Sequence, residues 1–285
     1  MTAAAAEGAA EGAAARASAA GDLAAALAEE RALFGLAPVP PDQTVRYGEH
    51  PDQLVDLHLP PAGAPAGPGP LVVLLHGGFW RQAYDRTHLT PCAAELARHG
   101  LPVALAEYRR VGGAGGWPVT CQDVAALVSA VRRHPVADGR PLVLVGHSAG
   151  GHLALWAAAQ PSAGKVRVVA VAPVADLALA HRLGLGGGAV ADLLGGPERV
   201  AERLPQADPA RLLPLRNPVT ILHGTADPDV PLAVSERYVA VAREAREAAP
   251  GGPEPELRVL DGVGHFAPLT PGAPAFRTLL AAIRG

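Results

Sequence analysis

This sequence contains few cysteine, methionine and aromatic residues, and its positive and negative charges nearly balance. The 285 residues include 2 cysteines and 1 methionine, and aromatic side chains make up 4% of the chain. Because two cysteines cannot form a disulfide scaffold, we expect a reducing, cytoplasmic location. The 24 basic and 27 acidic residues leave a net charge of −3, whereas nucleic-acid-binding proteins normally carry a basic stripe. The charge therefore argues against a nucleic-acid partner.

Long hydrophobic runs are also missing. No apolar run approaches the roughly 18 residues that a membrane-spanning helix needs. The amino terminus has no basic region and carries Glu7 and Glu11, which is unlike a secretory signal. The sequence therefore predicts a protein without a membrane span or a secretory signal.

Alanine dominates the amino-terminal segment. Residues 1–31 consist almost entirely of Ala, Gly, Glu and Arg, which favours transient helix without a large apolar face to pack. We expect a mobile, low-complexity tail over residues 1–31, with a short helix over 22–34. Residues 32–285 are then expected to form one domain.

Short apolar runs alternate with helical patterns through the rest of the chain. Two strands that form a hairpin are expected near residues 45–47 and 54–59. Six further runs follow, at residues 71–75, 102–106, 141–145, 166–171, 218–222 and 256–260. Continuous Val and Leu runs are typical of parallel strands that are covered on both faces. We predict an α/β fold with a mostly parallel eight-stranded sheet and helices on both faces.

One connection is far longer than the others. Residues 174–216 separate two predicted strands and contain only weak helical patterns. Long insertions in α/β folds often form lids or substrate walls. We therefore expect a small lid that covers the functional site.

The clearest chemical signal is a Gly-x-Ser-x-Gly motif. Gly146-His147-Ser148-Ala149-Gly150 follows a predicted strand and precedes a small-residue helix start. This context places the serine on a sharp, strained turn where its hydroxyl is exposed, and the two glycines allow close backbone approach. Ser148 is the predicted nucleophile; the alternative is a structural serine in a tight turn.

A serine nucleophile needs a base and an acid that orients the base. Asp227 follows the predicted strand at 218–222, and His265 follows the strand at 256–260. Both loops lie at strand carboxyl ends, where α/β sheets gather their ligands. We predict His265 as the base and Asp227 as the acid, with Asp229 as an alternative acid.

The loop His76-Gly77-Gly78-Phe79-Trp80 follows the strand at residues 71–75. Its amides, with that of Ala149, are suited to bind a tetrahedral oxyanion. We predict Gly77, Gly78 and Ala149 as this oxyanion hole, and His76 as a residue that shapes the loop. The predicted substrate pocket is aromatic: Phe79, Trp80, Trp117 and Phe266.

Together these motifs resemble the α/β-hydrolase superfamily over residues 44–285. The His-Gly-Gly-Phe-Trp loop is similar to that of an esterase branch that includes hormone-sensitive-lipase-like carboxylesterases and serine-type kynurenine formamidases. Residues 106–110, Trp117-Pro118 and Asp123 also match this branch. The resemblance implies an α/β-hydrolase fold and a Ser-Asp-His triad.

The expected function is therefore hydrolysis of carboxylic esters of small apolar or aromatic substrates through an acyl-enzyme. An arylformamidase, which cleaves amides of the N-formylkynurenine type, is an alternative. A non-catalytic ligand receptor on the same fold is a remoter one. The sequence carries no metal-binding motif, and we expect no cofactor. The partner is a small ester or amide, and homo-oligomerisation stays open.

Overall fold

The fold is built on one eight-stranded sheet. The computed structural model describes residues 21, 23–64, 69–249 and 251–285, and the strand order is β1-β2-β4-β3-β5-β6-β7-β8. Strands β1 and β2 pair antiparallel, as do β2 and β4, and the remaining pairs are parallel. The strands are β1 (Gln43–Arg46), β2 (Leu54–His58), β3 (Leu71–Leu75), β4 (Val103–Ala106), β5 (Leu142–His147), β6 (Val166–Val171), β7 (Val219–Gly224) and β8 (Glu256–Leu260).

The helices cover both faces of the sheet. In chain order they are α1 (23–34), α2 (Thr90–Arg98), α3 (Val119–Arg133), α4 (Ala149–Ala159), α5 (Leu177–Arg182), α6 (Leu185–Leu194), α7 (Val200–Ala207), α8 (Ala233–Ala248) and α9 (Pro274–Arg284). Within the described residues, no helix is long and apolar enough to cross a membrane.

Successive side chains of the central strands enter two different cores. Leu71, Val73 and Leu75 of β3 contribute to a core that includes residues of α3, α4 and α8. Val72 and Leu74 contribute to the opposite core, with residues of α1, α2 and α9. Because the side chains of a strand alternate between the faces, a strand that is covered on both must be apolar throughout. The predicted α/β fold with helices on both faces is confirmed.

The short helix expected over residues 22–34 is present at its described positions, and it packs on the rest of the protein. Residues 23–34 form α1, in which Ala26 and Leu33 are buried, and Leu33 belongs to the second core. The boundary expected at residue 31 therefore falls inside a packed helix, because two apolar residues seven positions apart share one face of it. Residues 1–20 and 22 of the predicted tail lie outside the described residues. The division into tail and single domain stays a prediction.

The long connection between β6 and β7 carries helices α5, α6 and α7. Gly184, Gly186, Gly187 and Gly188 have positive φ angles and bend the chain at the start of α6. Gly186 lies against Phe79: a Cβ on Gly186 would come within 2.6 Å of the phenyl ring. The segment is thereby fixed beside the loop that follows β3.

Candidate active site

Four loops that follow β3, β5, β7 and β8 carry the predicted triad and the two glycines of the predicted oxyanion hole. These strands are parallel, so their carboxyl ends lie at one edge of the sheet. Gly77 follows β3, Ser148 follows β5, Asp227 follows β7 and His265 follows β8. The topology therefore gathers residues that are far apart in sequence, as in other open α/β sheets.

Ser148 occupies a strained turn between β5 and α4. Its φ and ψ angles are 54° and −118°, a combination that costs a residue other than glycine free energy. A Cβ on Gly146 would lie 2.2 Å from the carbonyl oxygen of Gly150, and a Cβ on Gly150 would lie 2.2 Å from that of Leu75. The two glycines of the motif are thus required by backbone contacts on both sides of the serine.

Asp227 and His265 form a short, buried hydrogen bond. Nδ1–H of His265 donates to Oδ2 of Asp227 at 2.6 Å, and the side chains are 4% and 0% exposed. The backbone N–H groups of Asp229 and Val230 donate to the other carboxylate oxygen, both at 2.9 Å. Burial opposes ionisation of Asp227, but hydrogen bonds from His223 and His265 outweigh it and hold its pKa well below the ordinary value. Asp227 is therefore a carboxylate that fixes the tautomer of His265.

Ser148 and His265 line the same cavity. Among the hydrogen bonds of the described residues, none joins the Ser148 hydroxyl to His265. Bonds of this kind are often long before a substrate binds. His147, which precedes Ser148, joins the serine turn to the loop of His265: its Nε2–H donates to the carbonyl oxygen of His265 at 3.0 Å. Burial, and then the neighbouring His265, lower the pKa of His147 well below its usual range.

Backbone N–H groups beside Ser148 are available to a ligand. Ala149 is the first residue of α4, so its N–H has no partner within the helix. Gly77 lies so close that a Cβ on it would be 3.0 Å from Cβ of Ser148. In the described part of the chain, the N–H groups of Gly77, Gly78 and Ala149 donate to no protein acceptor. The predicted oxyanion-hole residues are thus adjacent to the serine, with free donors.

The loop that contains Gly77 and Gly78 is held by buried polar side chains. The ring nitrogens of His76 contact the carbonyl oxygen of Gly77 at 2.8 Å and the Glu107 carboxylate at 3.0 Å. The Tyr108 hydroxyl donates to the carbonyl oxygen of His76 at 2.7 Å, and the two rings stack at 4.4 Å. His76 therefore shapes this loop, as its position in the sequence suggested.

The cavity in front of Ser148 has a volume of about 90 Å³. Two of the four predicted pocket residues, Phe79 and Phe266, line it. Trp80 does not, because it is fully buried and donates its indole N–H to His152. Trp117 packs edge-to-face on Trp156 and is not among the residues that line the cavity. The residues that line the cavity are Glu30, Phe34, Gly78, Phe79, Tyr84, His88, His147, Ser148, Asp229, His265 and Phe266.

Helix α1 supplies a wall that the sequence interpretation missed. Glu30 and Phe34 of this helix line the cavity, whereas none of the lining residues belongs to the expected lid at residues 174–216. Phe34 stacks on His88 at 4.9 Å and meets Phe266 edge-to-face at 5.6 Å. The signal that could have revealed this wall is Leu33-Phe34, two large apolar residues at the end of an alanine-rich helix.

Glu29 joins α1 to the loop that carries His265. Its carboxylate oxygens accept hydrogen bonds from the N–H groups of Gly264 at 2.9 Å and Ala267 at 3.1 Å. These two residues lie on either side of His265. The amino-terminal helix therefore positions this histidine as well as the cavity wall.

One group of side chains in the described ranges is close enough to hold a metal ion. The ligand atoms of Asp227, Asp229 and His265 lie within 4.8 Å of one another. Oδ2 of Asp227 already accepts the hydrogen bond from His265, and Oδ1 of Asp227 accepts two backbone N–H groups. The hydrogen bonds thus account for the short distances in the group.

Comparisons with known proteins agree with this architecture. A family model described as BD-FAE matches residues 55–240. A probable isoprenylcysteine alpha-carbonyl methylesterase from Oryza sativa subsp. japonica is 26% identical over 254 residues, which cover 78% of this chain and 57% of that protein. A kynurenine formamidase from Danio rerio is 32% identical over 111 residues, which cover 39% of this chain and 36% of that protein. The chain thus spans about half or less of the length of these curated relatives.

A solved structure matches over almost the whole chain. A phosphonate-inhibited esterase B from Lactobacillus rhamnosis superposes with a TM-score of 0.70 at 20% identity, and covers 94% of this chain and 93% of its own. At this identity the likeness establishes the shared fold.

Proposed function

The chain belongs to the BD-FAE family, of the α/β-hydrolase esterase type, and on this premise we propose that it is a serine hydrolase of small carboxylic esters. In this proposal Ser148 is the nucleophile, His265 the base and Asp227 the acid. The observation that carries it is the 2.6 Å bond between His265 and Asp227 at a cavity that Ser148 also lines. A strained serine, an oriented imidazole and a buried carboxylate form the set that acyl transfer requires.

In the first half of the reaction, Nε2 of His265 takes the proton of the Ser148 hydroxyl as Oγ attacks the ester carbonyl carbon. The tetrahedral intermediate collapses, the bond to the leaving oxygen breaks, and His265 gives its proton to the departing alcohol. Asp227 stays ionised, because its pKa is held low, and so stabilises the imidazolium.

In the second half, His265 takes a proton from water, which attacks the acyl-enzyme. The bond between Oγ and the acyl carbon breaks, the proton returns to Ser148, and the carboxylic acid leaves. The N–H groups of Gly77, Gly78 and Ala149 are the proposed donors to the oxyanion in both halves. Each such donor typically contributes about 10²–10³ in kcat.

Phe79 and Phe266 give the cavity an apolar lining, which suits a small apolar or aromatic acyl or alcohol group. A volume of about 90 Å³ favours short groups. Phe79 and Phe266 are the proposed substrate contacts, whereas Trp80 and Trp117 are packing residues.

Replacement of the serine tests the proposal directly. We expect Ser148→Ala to lose on the order of 10⁶ in kcat with p-nitrophenyl acetate, and to lose labelling by a fluorophosphonate probe. The matched control is Ser162→Ala, at an exposed serine outside the cavity. Near-wild-type hydrolysis by Ser148→Ala would overturn the assignment. An unlabelled and inactive wild-type protein would favour a ligand receptor on this fold.

A second candidate function is arylformamidase activity. The similarity to a kynurenine formamidase over 111 residues favours it, together with the His76-Gly77-Gly78-Phe79-Trp80 loop. In that reaction the same groups would attack a formyl carbonyl and protonate an aromatic amine. Turnover of N-formylkynurenine compared with short aryl esters distinguishes the two: a kcat/KM that is higher for the formamide would replace the esterase proposal.

The proposed location is the cytoplasm. Cys92 and Cys121 are both unpaired and buried, and burial raises the pKa of the Cys92 thiol to about 12. Thiols of this kind suit a reducing compartment.

A further inference from the structure

Two carboxylates line the cavity in front of Ser148. Among the described residues, Glu30 and Asp229 line it and no arginine or lysine does. In the described part of the chain, neither carboxylate takes part in an ion pair. A cleft lined by one sign of charge raises the local concentration of ligands of the opposite sign.

The neighbouring histidines do not neutralise this charge. Burial lowers the pKa of His88 to about 4 and the pKa of His147 well below its usual range, so both rings are neutral at pH 7. The proposed base, His265, already shares its Nδ1 proton with Asp227. The carboxylates of Glu30 and Asp229 therefore face a cavity whose imidazoles at positions 88 and 147 are uncharged.

Aromatic rings form much of the remaining wall. Phe34, Phe79, Tyr84 and Phe266 line the cavity, and Phe34 and Tyr84 are 41% and 43% exposed. The faces of these rings carry partial negative charge and attract cations, above all alkylated ammonium groups that do not need hydrogen-bond acceptors. Aromatic rings and free carboxylates thus line one small cavity. For an alkylated ammonium group their roles would be complementary: the rings would contact the alkyl groups and the carboxylates would balance the charge.

We infer that the cavity recognises a small organic cation of the quaternary ammonium class, carried by the ester that Ser148 cleaves. The inference rests on the proposed esterase function for its reaction: water is added across the ester bond, and a short carboxylic acid and an ammonium-bearing alcohol are released. Recognition of the cation itself depends only on the cavity. Binding and hydrolysis can therefore be tested separately.

The binding test uses phenyltrimethylammonium and the Ser148→Ala protein, which keeps the cavity. We expect saturable binding by calorimetry. Glu30→Gln or Phe34→Leu, added to Ser148→Ala, should lower the affinity roughly 3- to 30-fold, because one cation–aromatic contact or one partly screened charge contributes about this much. The matched control is Glu244→Gln, which removes one exposed carboxylate of α8 that is not among the cavity-lining residues and should leave the affinity unchanged. No binding, or equal affinity in Glu30→Gln and the parent, would overturn the inference.

The kinetic test compares acetylcholine with its uncharged isostere 3,3-dimethylbutyl acetate. We expect kcat/KM for the charged ester to exceed that for the neutral one by roughly 3- to 30-fold at low salt, and this ratio to fall in Glu30→Gln and in 0.5 M salt. A ratio near one in the wild-type protein would contradict the inference and leave the esterase proposal standing. If phenyltrimethylammonium binds but no ester of either kind is cleaved, the esterase proposal fails and the cation site stands.

Discussion

At the scale of single residues, the site depends on glycines that cannot be enlarged. Ser148 keeps its unfavourable backbone angles because β5 and α4 are in direct backbone contact around it. A Cβ on Gly150 would come within 2.2 Å of the Leu75 carbonyl oxygen and 2.4 Å of that of His76. Gly150 therefore sets the distance between the serine turn and the loop with the proposed oxyanion donors.

We expect Gly150→Ala to lower the free energy of unfolding by roughly 1–3 kcal/mol, the usual cost of overpacking, and to reduce ester hydrolysis by more than this loss of stability explains. Gly251→Ala is the matched control, because a Cβ there meets nothing within 4 Å; it should change stability by less than about 0.5 kcal/mol. Urea unfolding and steady-state kinetics of the purified proteins measure both effects. Wild-type activity in Gly150→Ala would show that the spacing of the two segments is not critical.

The sequence was most informative at this scale. The motif around Ser148 and the order acid-then-histidine identified loops that the structure brings to one sheet edge, with Asp227 and His265 in contact. The aromatic pocket residues were less predictable. Trp80 and Trp117 stand next to the proposed catalytic loops in sequence, but whether a ring faces the cavity or the core depends on partners such as His152 and Trp156.

At the scale of secondary-structure elements, α1 has the largest effect on the site. Glu29 accepts hydrogen bonds from both sides of His265, and Phe34 and Glu30 contribute to the cavity. Alanine content predicted a helix here, but its packing depends on contacts between residues more than 230 positions apart. Local propensity carries no information about contacts of this range.

We expect Glu29→Ala to reduce kcat/KM by roughly 10- to 100-fold, since small displacements of a catalytic group are costly, and to speed hydrogen exchange at the amides of Gly264 and Ala267. Arg31→Ala, at an exposed position of the same helix, should change neither kcat/KM nor the exchange of these amides. Exchange measured by mass spectrometry, together with kinetics, checks the prediction. Unaltered exchange at both amides would mean that Glu29 does not hold the loop.

At the scale of the whole molecule, the proposed triad affects stability as well as reaction. The pKa of Asp227 is lower in the folded protein than in the unfolded chain, where it is about 3.9. Its contribution to stability is therefore fully present above about pH 5 and is lost as the pH falls through 4 towards the folded-state pKa.

Asp227→Asn should consequently lower the free energy of unfolding at pH 7, by on the order of a few kcal/mol, and the difference from wild type should shrink at pH 3. Asp138→Asn, at an exposed carboxylate, serves as the control for the removal of one negative charge. Urea denaturation at pH 7, 5, 4 and 3 measures the difference. If wild type and Asp227→Asn differ as much in free energy of unfolding at pH 3 as at pH 7, the low pKa of Asp227 does not stabilise the fold.

The fold as a whole was predictable because its signals are local and repeated. Runs such as Leu71–Leu75 and residues 142–145 are apolar on both faces, and each lies within a strand of the sheet. The lid expected at residues 174–216 stays a prediction. Its sequence allows weak helices, but only tertiary contacts determine which segment lines the cavity, and among the described residues α1 does so.

The hydrogen-bonded register between β3 and β5 has a consequence for how substrate range can change. Leu75 and Gly146 are direct partners in this parallel ladder, so the sheet backbone fixes the spacing between the proposed oxyanion donors and the serine. Two of the residues that we expect to select the substrate, Glu30 and Phe34, lie elsewhere, on α1. Recognition is therefore divided between the catalytic loops, which carry Phe79 and Phe266, and α1, which lies outside them. Specificity can change by exchange of side chains on α1 while the catalytic loops stay intact, provided that Glu29 is retained.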